Sequence, residues 1–275
     1  MSAHDLEREL DLAVRLARQA GAAIMDYYRE GVAVGYKVGR EPVTVADQAA
    51  DRIISDGLRS AFPGDGLLTE ESEDDSVRLE KERVWIVDPL DGTTEFIEET
   101  GEFAVQIALA IRGRPVLGVV FQPVQDLLFH ARHGHGAYQH RNGLSTPLHV
   151  SVVADPKKMC LVASRNRYSD LIEAGRQALG IQRVQRVGSV GLKVGLLARG
   201  LCDLYLATTV CKEWDLCAPH ALLEEAGGML TDLYGETIVY NKPDVSECRG
   251  LVGSNGLAHA QILASLAPLI DRASW

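Results

Sequence analysis

The chain is short of the features that mark secreted, membrane-spanning and nucleic-acid-binding proteins. Its five cysteines (160, 202, 211, 217 and 248) are odd in number and contain no C-x-x-C pair, so no disulfide framework is legible and reduced core thiols are expected. No stretch approaches the roughly 18 consecutive apolar residues of a membrane span. The opening M-S-A-H-D-L-E-R-E-L carries acids where a signal peptide would carry basic residues and an apolar run, and the expectation is a cytoplasmic protein. Positive charge is scarce: a net charge of −10 argues against nucleic acid or a membrane surface as partner. No internal repeat or low-complexity tract is present. Apolar content is ordinary, 46% of 275 residues, enough for one large domain or two modest ones. The organisation expected is an N-terminal α+β half over 1–155 that carries the main metal-site motifs, then an α/β half over 156–275.

The negative charge is unevenly spread. Residues 70–102 hold thirteen acids against Arg78, Lys81 and Arg83, a balance equal to the net charge of the whole chain. Residues 72–82 read as an exposed loop, but repulsion this dense is easier to hold if cations sit nearby. Within the segment lies V-W-I-V-D-P-L-D-G-T-T-E-F, residues 84–96. Trp85, Ile86 and Val87 read as a buried strand, and Pro89 is expected to end its ladder. Asp88 and Asp91 then stand at and just past a strand's carboxyl end, where open α/β sheets place ligands. Gly92 allows a sharp turn, and Thr93 and Thr94 are candidate caps beside free N–H groups of a new helical turn. Carboxylates gather hard cations, and N–H groups and hydroxyls gather phosphate oxygens. The stretch therefore predicts a place where a metal meets a phosphate. Residues 66–69, a short apolar strand followed by Glu70-Glu71, repeat the arrangement, and the two strand ends make one site if the strands are neighbours.

Elsewhere the periodicities alternate between 3.6 and 2. Leu6, Leu10, Ala13, Val14, Ala17, Ala20, Ile24 and Tyr28 mark an amphipathic helix ended by Gly31 and Gly35. Residues 36–45 are expected to be irregular or extended, and Thr44-Val45-Ala46-Asp47 opens a second helix with Asp47 in its first turn or as its cap, a place an acid occupies for the helix dipole alone. Residues 103–137 alternate as an antiparallel meander. H-A-R-H-G-H-G-A-Y-Q-H, from 130 to 140, is read as a hairpin tip with solvated imidazoles, since zinc needs a closed geometry that glycine-rich turn does not provide. After a break at Asp155-Pro156 come a strand from 159, a helix over 168–179, a strand over 184–188, a helix over 190–198 and a strand over 203–207. Gly188-Ser189 before a helix repeats the logic of a phosphate site, with Lys193 one turn inside. Lys212-Glu213-Trp214-Asp215 leads into an apolar helix over 216–226 stopped by Gly227-Gly228, and a last strand and helix fill 251–270. Asp215 is the third acid at a junction of strand and helix.

Together these pieces resemble the inositol monophosphatase-like superfamily. The matching motifs are Pro42-Val43-Thr44 with Ala46-Asp47; Glu70-Glu71; Asp88-Pro89-Leu90-Asp91-Gly92-Thr93-Thr94; and Trp214-Asp215 with the following Glu225-Ala226-Gly227-Gly228. Glu95-Phe96, Gly101-Glu102-Phe103, Ile107-Ala108-Leu109 and Gly188-Ser189 with Lys193 look most like the bacterial 3'(2'),5'-bisphosphate nucleotidase branch. Thr94, where many nucleotidases carry Lys, and Ser164-Arg165-Asn166-Arg167, where they carry S-R-S-H, depart from it. The resemblance implies a five-layered αβαβα sandwich of the fructose-1,6-bisphosphatase type. It implies a lithium-sensitive, Mg²⁺-dependent phosphate monoester hydrolase that converts adenosine 3',5'-bisphosphate to AMP and phosphate by metal-activated water. Two or three Mg²⁺ ions would be held by Glu70, Asp88, the Leu90 carbonyl, Asp91 and Asp215. Asp47 and Thr93 would activate water, and Gly92, Thr93 and Thr94 would hold the phosphate, while Gly188, Ser189, Lys193 and Arg165 or Arg167 would contact the substrate. Related enzymes are often homodimers. Inositol monophosphate or fructose 1,6-bisphosphate are alternative substrates. A non-catalytic phospholigand-binding protein is the alternative from another class. Aspartyl-phosphate phosphatases, whose paired acids lie two apart, fit less well than metal bridging by two acids three apart.

Overall fold

The computed structural model describes residues 6–30, 34–36, 42–74, 76–246 and 248–270. Helix α1 (Glu7–Glu30) buries Ala13, Leu16, Ala17, Ala20 and Ile24, the three- and four-residue spacing of a single apolar stripe. Gly31, expected to end it, lies outside the described residues. Strands β1 (Val34–Tyr36) and β2 (Pro42–Thr44) form a short antiparallel pair. Thr44 then caps α2 (Val45–Ala61), which packs against α1 through Ala46, Ala50, Ile54 and Leu58.

A seven-stranded sheet follows from β3 (Gly66–Thr69), β4 (Arg83–Asp91), β5 (Ala104–Ile111), β6 (Arg114–Gln122), β7 (Leu127–Arg132), β8 (Ala137–Arg141) and β9 (Leu144–Pro147), in that spatial order. β3 and β4 are parallel neighbours and the rest pair antiparallel. The five-residue α3 (Thr93–Ile97) leaves the end of β4. The second half supplies β10 (Cys160–Ser164), α4 (Asp170–Ala178), β11 (Arg183–Val187), α5 (Val190–Ala198), β12 (Leu204–Cys211), α6 (Glu213–Glu225), β13 (Met229–Asp232), β14 (Cys248–Ser254) and α7 (His259–Leu266). Its five strands run β11-β10-β12-β14-β13, and the expected strands at 159–164 and 184–188 pair in parallel.

The layers follow from which faces are apolar. One face of the seven-stranded sheet is closed by α1 and α2, with Trp85, Val87, Val105, Ile107, Leu109 and Val119 pointing into that core. Its other face meets α5 and α6, which are sandwiched between the two sheets by Ile86, Ala108, Val120, Phe129, Leu197 and Leu222. Beyond the second sheet α4 and α7 close a third core around Leu161, Leu206, Val252 and Ile262. This is the five-layered αβαβα sandwich. No helix of the described residues is long and apolar enough to cross a membrane.

Three local expectations need correction. Pro89 does not end the ladder: β4 bulges between Asp88 and Asp91 and pairs again at Asp91 with Ala104, since a bulge accommodates a residue without an N–H donor. The acidic loop 72–82 is not all solvated, because Arg78 is 1% exposed. Its guanidinium pairs with Asp74 and donates to Asn241 and to the Lys242 carbonyl. The histidines divide: His133 is exposed at the tip, but His130 and His140 stack on neighbouring strands with their Nε2 atoms 2.8 Å apart. Burial pushes His130 down to about 4, so it stays neutral at ordinary pH.

Candidate active site

The parallel pairing of β3 with β4 sets Thr69 opposite Val87. Glu70 and Asp88 therefore leave adjacent strands at the same level, as the two strand ends require. The bulge after Asp88 turns the chain through Pro89 and Leu90 and delivers Asp91 to the same cleft. Gly92 follows at φ 102°, a left-handed conformation that side chains disfavour. It is Gly92, not a threonine, that precedes α3, so Thr93 and Thr94 lie inside its first turn. From the other half, β12 ends at Cys211 and α6 brings in Asp215.

Asp47 and Asp215 reach the site by the same device. Each is the third residue of its helix, and each accepts a hydrogen bond from the backbone N–H of the residue that precedes the helix: Thr44 to Asp47 Oδ2 at 2.8 Å, and Lys212 to Asp215 Oδ2 at 2.9 Å. Capping is thus compatible with a role at the cleft, which Asp215 lines directly and Asp47 backs through its bond to Thr93. Asp47 is held through both of its oxygens, and Asp88, Asp91 and Asp215 through one each. Thr44 also donates its hydroxyl to Asp47 Oδ2, while Oδ1 accepts from the Thr93 hydroxyl at 3.1 Å. Asp88 Oδ1 accepts from the Leu90 N–H. Asp91 Oδ2 accepts from Gln106 Nε2 at 2.8 Å, Ser189 Oγ at 2.5 Å and the Gly191 N–H at 3.0 Å.

Asp88, Asp91 and Asp215 each present an oxygen, and these atoms lie within 4.8 Å of one another. They line a cleft of about 430 Å³ together with Glu70, Leu90, Gly92, Thr93, Thr94, Glu95, Ser189, Lys193, Asn166, Arg167, Tyr205 and Trp214. The electrostatics register the crowding. Burial, and then the charges of Glu70, Asp91 and Asp215, raise the Asp88 carboxyl well above its ordinary range. Asp215 is pushed up to about 7 by burial and by Asp91 and Glu70. Burial also raises Asp91 and Asp47, against the pull of their hydrogen-bond donors. Three such carboxylates do not relieve one another, and their oxygen donors suit a hard divalent cation. Histidine and cysteine contribute no ligand to this group, which disfavours zinc.

Other expected residues are placed less directly. Ser189 caps α5 at φ 48°, a region side chains disfavour, and its hydroxyl accepts from the Leu192 N–H while donating to Asp91. The Gly188 N–H donates to Glu102 Oε2 at 2.7 Å, and the same carboxylate takes both arms of Arg165. Arg165 therefore clasps the cleft wall, and Arg167 is the arginine that lines the cavity. Lys193 is 3% exposed, and burial lowers it against the pull of Asp91 and Glu95.

Gln106 is the residue sequence reasoning missed. It is a lone amide in the apolar run of β5, and it donates to Asp91 and, at 3.4 Å, to the Asp215 carbonyl. That carbonyl is open because Pro219, four residues on in α6, has no N–H to give it. A polar residue amid an apolar strand and a proline one turn after an acid were the available signals.

The fold and site define an αβαβα protein with a carboxylate-walled, cation-seeking cleft. The chain belongs to the inositol monophosphatase family, whose model matches residues 5–271; the family is one of metal-dependent phosphatases. It is 38% identical to the 3'(2'),5'-bisphosphate nucleotidase CysQ of Salmonella typhimurium over 234 residues, 84% of this chain and 93% of that protein. It is 33% identical to the Nus factor SuhB of the same species, over 82% of this chain and 85% of that one. The solved inositol monophosphatase from Anabaena has a TM-score of 0.78 and 30% identity, covering 98% of this chain and 100% of that one.

Proposed function

We propose that the protein is a magnesium-dependent 3'(2'),5'-bisphosphate nucleotidase that releases one phosphate from a nucleoside 3',5'-bisphosphate. The observation that carries this reading is the mixed lining of one cleft, where Glu70, Asp88, Asp91 and Asp215 share the walls with the cations Lys193 and Arg167. A substrate with two phosphates suits such a cleft: one phosphate for cleavage among the acids and one for anchoring by cations. Likeness to the CysQ enzymes supports the same reading.

Two or three Mg²⁺ ions, held by Glu70, Asp88, the Leu90 carbonyl, Asp91 and Asp215, would neutralise phosphate oxygens and acidify water when bound. The chain's own groups do the rest. Gly92, Thr93 and Thr94 offer backbone N–H groups at the start of α3 to the phosphoryl oxygens. An attacking water passes its proton to Thr93 Oγ1, which hands its own to Asp47 Oδ1 across the 3.1 Å hydrogen bond. Burial raises the Asp47 carboxyl, which brings it nearer the range of a useful base. Ser189, Gly191 and Gln106 hold Asp91 in place throughout.

Phosphate release is to be measured with Mg²⁺, with Li⁺ added and after chelation, on adenosine 3',5'-bisphosphate, inositol 1-phosphate and fructose 1,6-bisphosphate side by side. The proposal expects the nucleotide to have the highest kcat/KM, and Lys193→Ala to raise KM for it far more than for a monophosphate. Full activity after chelation ends the metal reading. A preference for inositol 1-phosphate, the activity named for the Anabaena structure, reassigns the substrate. No release from any of them leaves a phospholigand-binding protein.

A further inference from the structure

One acid in the cleft takes no part in that mechanism. Glu95, the third residue of α3, lines the cavity and is 6% exposed. It is held from several sides. Asn166 Nδ2 donates to its Oε1 at 3.2 Å. Its Oε2 overhangs the phosphate cradle, 3.3 Å from where a Cβ on Gly92 would stand. Behind it Gly188 comes so close that a Cβ there would lie 2.3 Å from Glu95 Cγ. Glu95 is thus packed between Asn166 and Gly188 with its carboxyl group over the cradle.

A carboxylate has about four acceptor positions. Asn166 and the residue's own backbone N–H use part of them, and Arg165, whose charge reaches it, is paired with Glu102 instead. An anion so near a phosphate-binding turn repels a second phosphate. What it can receive there is a hydroxyl on the carbon next to the one that bears the ester.

Resting on the reading of this cleft as a nucleotide phosphatase, we propose that Glu95 is a specificity-determining residue. It accepts a hydrogen bond from the substrate hydroxyl adjacent to the scissile phosphate, the 2'-hydroxyl of a ribonucleoside 3'-phosphate. A site that holds a buried charged acceptor for a hydroxyl rejects the analogue that lacks it, because the acceptor then loses its partner. The substrate class is thereby narrowed to phosphate esters with a free vicinal hydroxyl, and the second phosphate is directed to Lys193 and Arg167.

The test compares adenosine 3',5'-bisphosphate with its 2'-deoxy analogue on the wild type, Glu95→Gln and Glu95→Ala, with p-nitrophenyl phosphate to report hydrolysis by a substrate without hydroxyls. The wild type is expected to favour the ribonucleotide in kcat/KM by about 10- to 100-fold, the range of a hydrogen bond to a charged group. Glu95→Gln keeps the shape and narrows the ratio, and Glu95→Ala brings it near one. Melting temperatures of both variants show that each is folded. Equal hydrolysis of the two nucleotides by the wild type, or a ratio that survives in Glu95→Ala, overturns the proposal. So does a rise in the Mg²⁺ needed for half-maximal thermal stabilisation of Glu95→Ala, which would make Glu95 an ion ligand. If the wild type hydrolyses none of the three, the phosphatase reading itself fails and this proposal with it, an outcome distinct from hydrolysis without discrimination.

Discussion

Asp88→Asn should make the cation-free protein more stable while removing much of its response to Mg²⁺. Asp88 is 1% exposed, with oxygens of Asp91 and Asp215 within 4.8 Å of its own. At an effective dielectric of ~20, two unit charges at that distance repel by about 3 kcal/mol. Protonation relieves part of this, as the raised carboxyls of Asp88 and Asp215 show, and a net relief of about 2 kcal/mol is expected from removing one charge. The substitution keeps the shape, and Asn Oδ1 can still accept from the Leu90 N–H. For a chain of this size the gain corresponds to a rise in Tm of about 3–4 °C. The assay is thermal unfolding above neutral pH, in chelator and at saturating Mg²⁺. The wild type should gain about 2.7 kcal/mol at a Mg²⁺ concentration of ~100 Kd, and the variant far less. A Tm below that of the wild type in chelator, or an undiminished shift with Mg²⁺, would refute the reasoning that repulsion among these acids is what the cations relieve.

Three further outcomes are expected. Without divalent cations, stability should fall as pH rises from about 4 to about 7, because the folded Asp215 keeps its proton up to about 7 while the unfolded chain loses it near 3.8; Mg²⁺ should flatten this slope in urea titrations across pH. Gln106→Leu removes a buried donor to Asp91 and the tie to the Asp215 carbonyl. It should cost about 1–3 kcal/mol in chemical denaturation and weaken Mg²⁺ stabilisation. Arg78→Met removes the guanidinium's pair with Asp74 and its bonds to Asn241 and Lys242, and leaves the Asn241 amide on the Arg78 carbonyl to tie the loop; a loss of about 1–3 kcal/mol, with faster proteolysis around residues 72–82, is the measurable result.

The fold was largely legible because its cores are lined by clean periodicities. The stripe of α1, the alternation of β5 and the run 84–87 all lie in apolar faces that the chain must bury. β13, β8 and the edge strand β9 were not legible, since their faces are short and partly polar and their pairing comes from neighbours. In the cleft, Glu70 and Asp88 could be matched because strand ends bring them to one level, but no local rule says that Glu102 takes Arg165 and leaves Arg167 to face the cavity. Arg78 was misread for a similar reason: its partners at 241 and 242 are more than 160 residues away. Charge in a loop looks solvated until the element that covers it is known.

The pinning of Asp88, Asp91 and Asp215 through one oxygen each leaves this group of anions little freedom to rotate apart. Strain in the set has two outlets, uptake of a hydrogen ion or arrival of a divalent one, so loading the site amounts to swapping the first for the second. Titrant should therefore be liberated as Mg²⁺ is added near neutrality, and affinity for the ion should weaken as the medium is acidified.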